Sequence, residues 1–219
     1  MLRAILAAAV LVAFQAGAQE ATAPVASSGG HSGSVLSGET VGNGSTVFWG
    51  EVGFPGLSAA ILHGVAPTFD IGGKFTFNYG LEGMTDFIHP ELKLNALARI
   101  SLLRKPKFNM GLHFEPGFLM YFINGTHFGV NLPVGLQFGI PASSALQVVL
   151  AFDMPITIFF GNGTSGGFIP ILFGGGVEYR VDRDVLLTFH MAMGPGINTE
   201  DNAGSTFVLQ SLFGVALPM

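Results

Sequence analysis

From Thr46 onward the chain alternates apolar and polar residues in one run after another. In 69–79, Phe69, Ile71, Phe75, Phe77 and Tyr79 alternate with Asp70, Gly72, Lys74, Thr76 and Asn78. Successive side chains of a strand point to opposite faces, so this spacing predicts a strand with one greasy and one polar face. The same period recurs in 91–102, 108–122, 128–140, 146–160, 171–180, 185–193 and 207–217. An earlier run, 46–62, is interrupted at Gly53-Phe54-Pro55-Gly56. Pro cannot donate to a ladder, so Pro55 between two glycines is expected to mark a bulge in one long strand. Between the runs lies turn chemistry: Lys105-Pro106, Pro141-Ala142-Ser143-Ser144 and Asp182-Arg183-Asp184. Asn124-Gly125 and Asn162-Gly163 supply the positive φ angles that hairpins use. With the following Thr, these pairs also match the N-glycosylation pattern, as does Asn43-Gly44-Ser45. The turn role explains them without a modification.

Composition decides what the greasy face meets. The 219 residues are 49% hydrophobic and 11% charged, and the mean hydropathy is +0.54. A soluble surface would need about 25% charged residues. The apolar face carries large Phe, Leu, Ile and Met side chains almost throughout, while the second face is Gly, Asn, Gln, Ser and isolated charges. Disorder is excluded by this hydrophobicity. A disulfide framework and thiolate metal sites are excluded by the lack of Cys. A net charge of −5 disfavours nucleic acid as a partner. From Thr46 on there is no apolar run long enough for a spanning helix. An open sheet edge in lipid leaves amides unpaired at several kcal/mol each. The expected fold is therefore all-β: a closed antiparallel transmembrane β-barrel, lipid outside and polar residues within.

The first residues form a separate signal. A basic Met-Leu-Arg start, the apolar run Ala4–Phe14 and Ala16-Gly17-Ala18 match a secretory signal peptide, 1–18, cleaved after Ala18. Residues 19–45 are rich in Ala, Ser, Gly and Thr and are expected to be a flexible leader. Val35, Leu36 and Val41 leave room in it for one weak first strand over 33–41.

On this alternation, 46–219 resembles the small outer-membrane β-barrel proteins of Gram-negative bacteria, a porin-like superfamily. The resemblance implies location in the outer membrane after secretion across the inner membrane, contact with outer-membrane lipid and lipopolysaccharide, and insertion by the barrel-assembly machinery. Oligomeric state is left open. Such barrels have an even strand number and both termini on the periplasmic side. The runs count to nine, so either 33–41 supplies a tenth strand or one run lies outside the barrel, which gives eight; ten is favoured. Counting back from the carboxyl end puts 42–45, 80–90, 123–127, 161–167 and 194–205 outside, and 63–68, 104–107, 141–144 and 182–184 in the periplasm. The chain departs from the family pattern in ending Leu217-Pro218-Met219, without a terminal aromatic, and in using Phe where girdles use Tyr and Trp.

The phase of alternation places Glu51, Asp70, Lys74, Glu91, Lys93, Arg99, His113, Glu115, Asp153, Glu178, Arg180 and His190 on the lumen face. Charges in a narrow barrel are partly desolvated and should pair. They form either a packed ionic plug, giving a structural role, or the lining of a narrow pore for small solutes. The resemblance adds two alternatives: surface binding or adhesion through the outside loops, and a lipid-modifying enzyme using rim Ser and His. His89, His127, Ser165 and Ser205, with Asp86 and Glu200, fall in or beside outside loops, but no motif links them, so no catalytic residue is assigned and a non-enzyme is expected. His31 lies in the leader and His63 at a periplasmic turn. The six His show no metal-ligand spacing, and no cofactor is implied. Gly174-Gly175-Gly176 lies within a strand run with no helix after it, so close packing explains it better than phosphate binding.

Overall fold

The computed structural model describes residues 34–80, 90–122, 125–161, 164–199 and 205–219. The signal-peptide stretch 1–18, the leader through residue 33 with His31, and Asp86, His89, Asn124, Asn162, Gly163 and Glu200 lie outside them. The strands are β1 (Thr46–Phe54), β2 (Gly56–Ala66), β3 (Phe69–Asn78), β4 (Glu91–Lys105), β5 (Phe108–Phe114), β6 (Gly117–Phe122), β7 (Thr126–Pro141), β8 (Leu146–Gly161), β9 (Thr164–Pro170), β10 (Leu172–Arg180), β11 (Leu186–Asn198) and β12 (Ser205–Pro218). All pairings among them are antiparallel. Two staves of the barrel are each broken into halves. β5 and β6 both pair with β4 and with β7, and the break is Glu115-Pro116. β9 and β10 both pair with β8 and with β11, and the break is Ile171. The ladder runs past both breaks, since Glu115 N donates to Pro133 O (2.9 Å) and Ile171 N to Pro195 O (2.9 Å). Ten staves result, and β12 pairs with β1 from Val47–Pro218 to Phe54–Ser211, which closes the ring.

Ten is the expected number, reached by another route. Residues 34–45 form no strand. Instead 46–66 supplies two staves, because the chain reverses at Pro55 and β1 pairs with β2 from Thr46–His63 to Val52–Leu57. The expected bulge is a hairpin turn around a cis Phe54–Pro55 bond. Gly53 enters it at φ 153°, where a Cβ would collide with Ser211 O of β12. The turn also receives the end of β3, as Tyr79 N donates to Pro55 O (2.8 Å).

This reversal moves one loop. Residues 42–45, expected outside, sit at the rim that holds the start of β1 and the end of β12. There Gly44 N donates to Gly64 O and Gly64 N to Ser45 O. The 67–68, 106–107, 142–145 and 181–185 turns share this terminal rim. The Pro55 turn, the ends of β3, β6, β8 and β11 and the starts of β4, β7, β9 and β12 lie at the opposite rim.

The greasy face points outward on every stave. Phe48, Val52, Leu57, Ile61, Phe75, Leu94, Phe114, Phe118, Phe128, Leu150, Phe173, Phe207 and Phe213 are all exposed. A closed ladder with this belt is the solution that lipid imposes on a sheet. A charge placed on the belt meets hydrocarbon. Leu94→Arg, at a side chain 65% exposed in the first third of β4, is expected to lower stability by about 1–3 kcal/mol. Urea unfolding from lipid vesicles, followed by the faster migration of the folded form on unboiled gels, measures it.

Candidate functional site

The terminal half of the lumen is filled by the chain's own residues 34–41. Inward side chains hold this segment mainly by its backbone. Glu178 on β10 accepts from Val35 N and Leu36 N (2.8 Å each) and from Ser34 Oγ (2.7 Å). Arg99 on β4 donates to Ser34 O (3.0 Å), Ser37 O (2.9 Å) and Glu39 O. Asn109 on β5 accepts from Gly38 N (2.9 Å) and Asp70 on β3 from Val41 N (3.0 Å). Thr40 Oγ1 donates to Pro67 O (2.9 Å) and accepts from Arg104. Asp70 and Arg99 also face each other at 3.7 Å. Asp70, Glu178 and Arg99 are all buried, and buried charges need such partners to be tolerated. Gly38 lies against β5 so closely that a Cβ would strike the Met110 and Gly111 backbone. Val35, Leu36 and Val41 meet an inner apolar ring of Val47, Trp49, Ala60, Leu62, Leu97, Val149, Leu186 and Ala216. The segment is a plug.

Beyond the plug, a charged belt crosses the lumen. His190 Nδ1 on β11 lies 3.2 Å from Glu51 Oε1 on β1. Glu51 accepts from Ser58 Oγ (2.9 Å) and faces Lys74 of β3 at 3.8 Å. Lys74 faces Glu115 at 3.8 Å and stands 5.2 Å over the Trp49 ring. His113 on β5 bonds Glu115 through Nδ1 (3.2 Å) and Asp153 of β8 through Nε2 (2.7 Å). β7 runs between β5 and β8, and the last contact exists because Gly135 stands there. A Cβ on Gly135 would collide with both Asp153 Oδ1 and His113 Nε2. Nearer the opposite rim, Lys93 faces Glu91 at 3.3 Å, and Asn78 donates to Glu91.

These groups surround a chamber of about 160 Å³. Its floor includes Leu36 of the plug, and its lining reaches Pro55, Gly56 and Asn78 at the opposite rim. Asn78, Asn95, Asn131, Gln137 and Gln210 supply amides to it.

The sequence-predicted lumen residues thus separate by depth. Asp70, Arg99 and Glu178 hold the plug. Glu51, Lys74, His113, Glu115, Asp153 and His190 form the belt. Glu91 and Lys93 pair beyond it, and Arg180 lies half-buried at the terminal end of β10. Alternation alone did not single out Asn109, Arg104, Asn131 or Trp49 as site residues. Trp49 is apolar and inward, against the phase of its neighbours' chemistry, and its being the chain's one Trp was the available signal. Of the rim residues proposed for lipid chemistry, the described side chains are His127 and Ser205, and these two are not brought together. His127 stacks on Tyr121 (centroids 5.0 Å apart), whereas exposed Ser205 opens β12, across the barrel from β7. His63 bonds Thr46 Oγ1 at 2.9 Å.

Closed ladder, outward apolar belt, even stave number, and a first stave that starts and a last stave that ends at one rim define a closed ten-stave transmembrane β-barrel. No protein-family model and no curated protein matches the chain. Among solved structures, it is similar to the outer membrane protease OmpT from Escherichia coli at 10% identity and a TM-score of 0.48, covering 80% of this chain and 93% of that one. It is also similar to the KdgM porin, solved with disordered oligogalacturonate, at 13% identity and a TM-score of 0.32, covering 79% and 98%. These are loose likenesses, and no residue role passes from them to this chain.

Two predictions follow from the lumen packing. Gly135→Ala wedges a methyl between His113 and Asp153 and should cost about 1–3 kcal/mol. Gly73→Ala, whose Cβ would meet nothing nearer than 3.8 Å, should stay within about 0.5 kcal/mol of the parent. Urea unfolding compares them directly. In the plug, burial holds the Glu39 carboxyl above its usual range, opposed by Arg104. A raised folded-state value means that its protonated form favours the seat. That contribution is present below the ordinary Glu range and is lost as pH rises through the raised value. Glu39→Gln should therefore slow proteolysis of the 34–45 segment at neutral pH, and the difference from the parent should vanish in acid.

Proposed function

We propose that this chain is an integral outer-membrane barrel with a sealed lumen, structural and non-enzymatic in its resting form, rather than an open pore. One observation carries the reading: the 34–41 segment occupies the terminal half of the lumen and is hydrogen-bonded to four of the surrounding staves. Ten staves enclose little free width, and what remains is a chamber whose lining reaches the opposite rim. In this reading the signal peptide directs secretion across the inner membrane, the barrel-assembly machinery inserts the chain, and the Phe belt lies in outer-membrane lipid beside lipopolysaccharide. The short turns at the terminal rim fit the periplasmic side.

A narrow solute path is latent in the same geometry, because the plug is held by side chains and not by ladder bonds. In planar bilayers the parent protein should show no steady conductance. The double variant Arg99→Ala/Glu178→Ala, folded as judged on unboiled gels, should give discrete openings as the segment leaves its seat. Steady conductance by the parent overturns the sealed reading.

A further inference from the structure

We propose that the chamber above Leu36 binds a small neutral polyhydroxyl solute. The proposal deepens the sealed-barrel reading and rests on it for the floor of the site. At about 160 Å³, the chamber has room for several waters or for one polyol of roughly three to six carbons.

The charge pattern selects the chemistry. Each charged group of the belt already has an opposite within the lumen: Lys74 with Glu51 and Glu115, His113 with Glu115 and Asp153, His190 with Glu51. An ionic ligand would have to break one of these pairs or sit beside it uncompensated, and either is costly in a low-dielectric site. Among the described chamber-lining side chains, three buried atoms lack a hydrogen-bond partner in the protein: His190 Nδ1, which already faces the Glu51 carboxylate at 3.2 Å, and one neutral atom each on Trp49 and Asn131. Trp49 Nε1 is a donor, Asn131 Oδ1 an acceptor, and both residues are more than nine-tenths buried. Both residues line the chamber. A buried polar atom without a partner costs free energy that a ligand can recover. A hydroxyl donates and accepts, so two hydroxyls of one molecule can serve both atoms. Pro133, Pro155 and Leu172, also in the lining, offer apolar surface to its C–H faces.

Trp49 is the chain's one Trp, so its emission reports on this site alone. The full chain in detergent micelles is titrated with glycerol, xylitol and sorbitol, and separately with glycine and glycerol phosphate. A saturable change in Trp49 emission is expected with at least one polyol and with neither charged compound. Asn131→Leu should weaken it about tenfold by removing the acceptor. If that variant lacks the gel shift of a folded barrel, Asn131→Ser, which keeps an oxygen on a shorter arm, takes its place and should weaken it less. No saturable change with any polyol, saturation by a charged compound alone, or an unaltered response in the Asn131 variant overturns the proposal. Its failure is distinct from failure of the sealed reading. A silent bilayer with no titration keeps the seal and removes the solute, whereas a conducting parent removes the seal while the titration still reports binding.

Discussion

The pairing of β12 with β1 is the constraint on which the rest depends. In lipid every backbone amide needs a partner, so the sheet must close on itself. Closing ten staves fixes a narrow lumen, and the inward side chains must then fill it without colliding. Glycine is how this chain manages the crowding. Gly135 lets His113 and Asp153 meet across β7. Gly139, on the same strand, leaves space for Asn109 and Gln147, and Gly214 on β12 does so for Trp49 and Thr188. In each case the stave between two polar residues gives up its side chain so that its neighbours fit over it, and at Gly135 they also bond. The high glycine content is thus partly a consequence of closure and not of flexibility.

A lumen so lined creates a second demand. Its charges are taken out of water, and each must be repaid by a partner of good geometry. The plug meets part of that demand. Arg99, Glu178, Asp70 and Asn109 bond to its main chain, which offers donors and acceptors whatever its side chains are. The plug brings a demand of its own, because Val35, Leu36 and Val41 need apolar contacts. Val47, Leu62, Leu97, Val149, Leu186 and Ala216 supply them from inside the barrel. The terminal half of the lumen is therefore greasy at positions where the phase of alternation calls for polar residues.

That exchange explains which features were legible in the sequence. Where the inward face is polar, as in β3 with Asp70, Lys74 and Asn78, alternation marks both the strand and its faces. In 46–62 it does not, since Val47, Trp49, Ala60 and Leu62 point inward beside outward Phe48, Leu57 and Ile61. With both faces apolar, the change of phase at Pro55 leaves no trace, and a hairpin looks like one long strand. The same plug makes 33–41 resemble a weak strand, because its spaced apolar residues serve the lumen and not a ladder. Phase also set the charged residues on one face but could not say which of them meet. His113 and Asp153 are 40 positions apart, and their contact follows from the register of three staves and the one glycine between them. Register of that kind is a property of closure, which no single run of residues encodes.

The two ends of the lumen are closed by different physics, and the difference gives the barrel a direction. At the terminal rim the seal is a peptide segment bonded through its backbone and released only by breaking several buried hydrogen bonds together. At the other end the β9–β12 wall carries Phe168, Leu172, Ala192 and Val208 as a buried apolar cluster, with Tyr121 and Phe159 packed against it. The β1–β4 wall opposite carries Asn78, Glu91 and Lys93. The four cluster residues are almost fully buried, so they narrow this end of the lumen by apolar packing, and of them Leu172 and Ala192 line the chamber. A solute held there meets these apolar groups beside the amides of Asn78 and Asn95. A molecule with both C–H and hydroxyl surface suits that mixture better than a bare ion, which apolar groups cannot solvate.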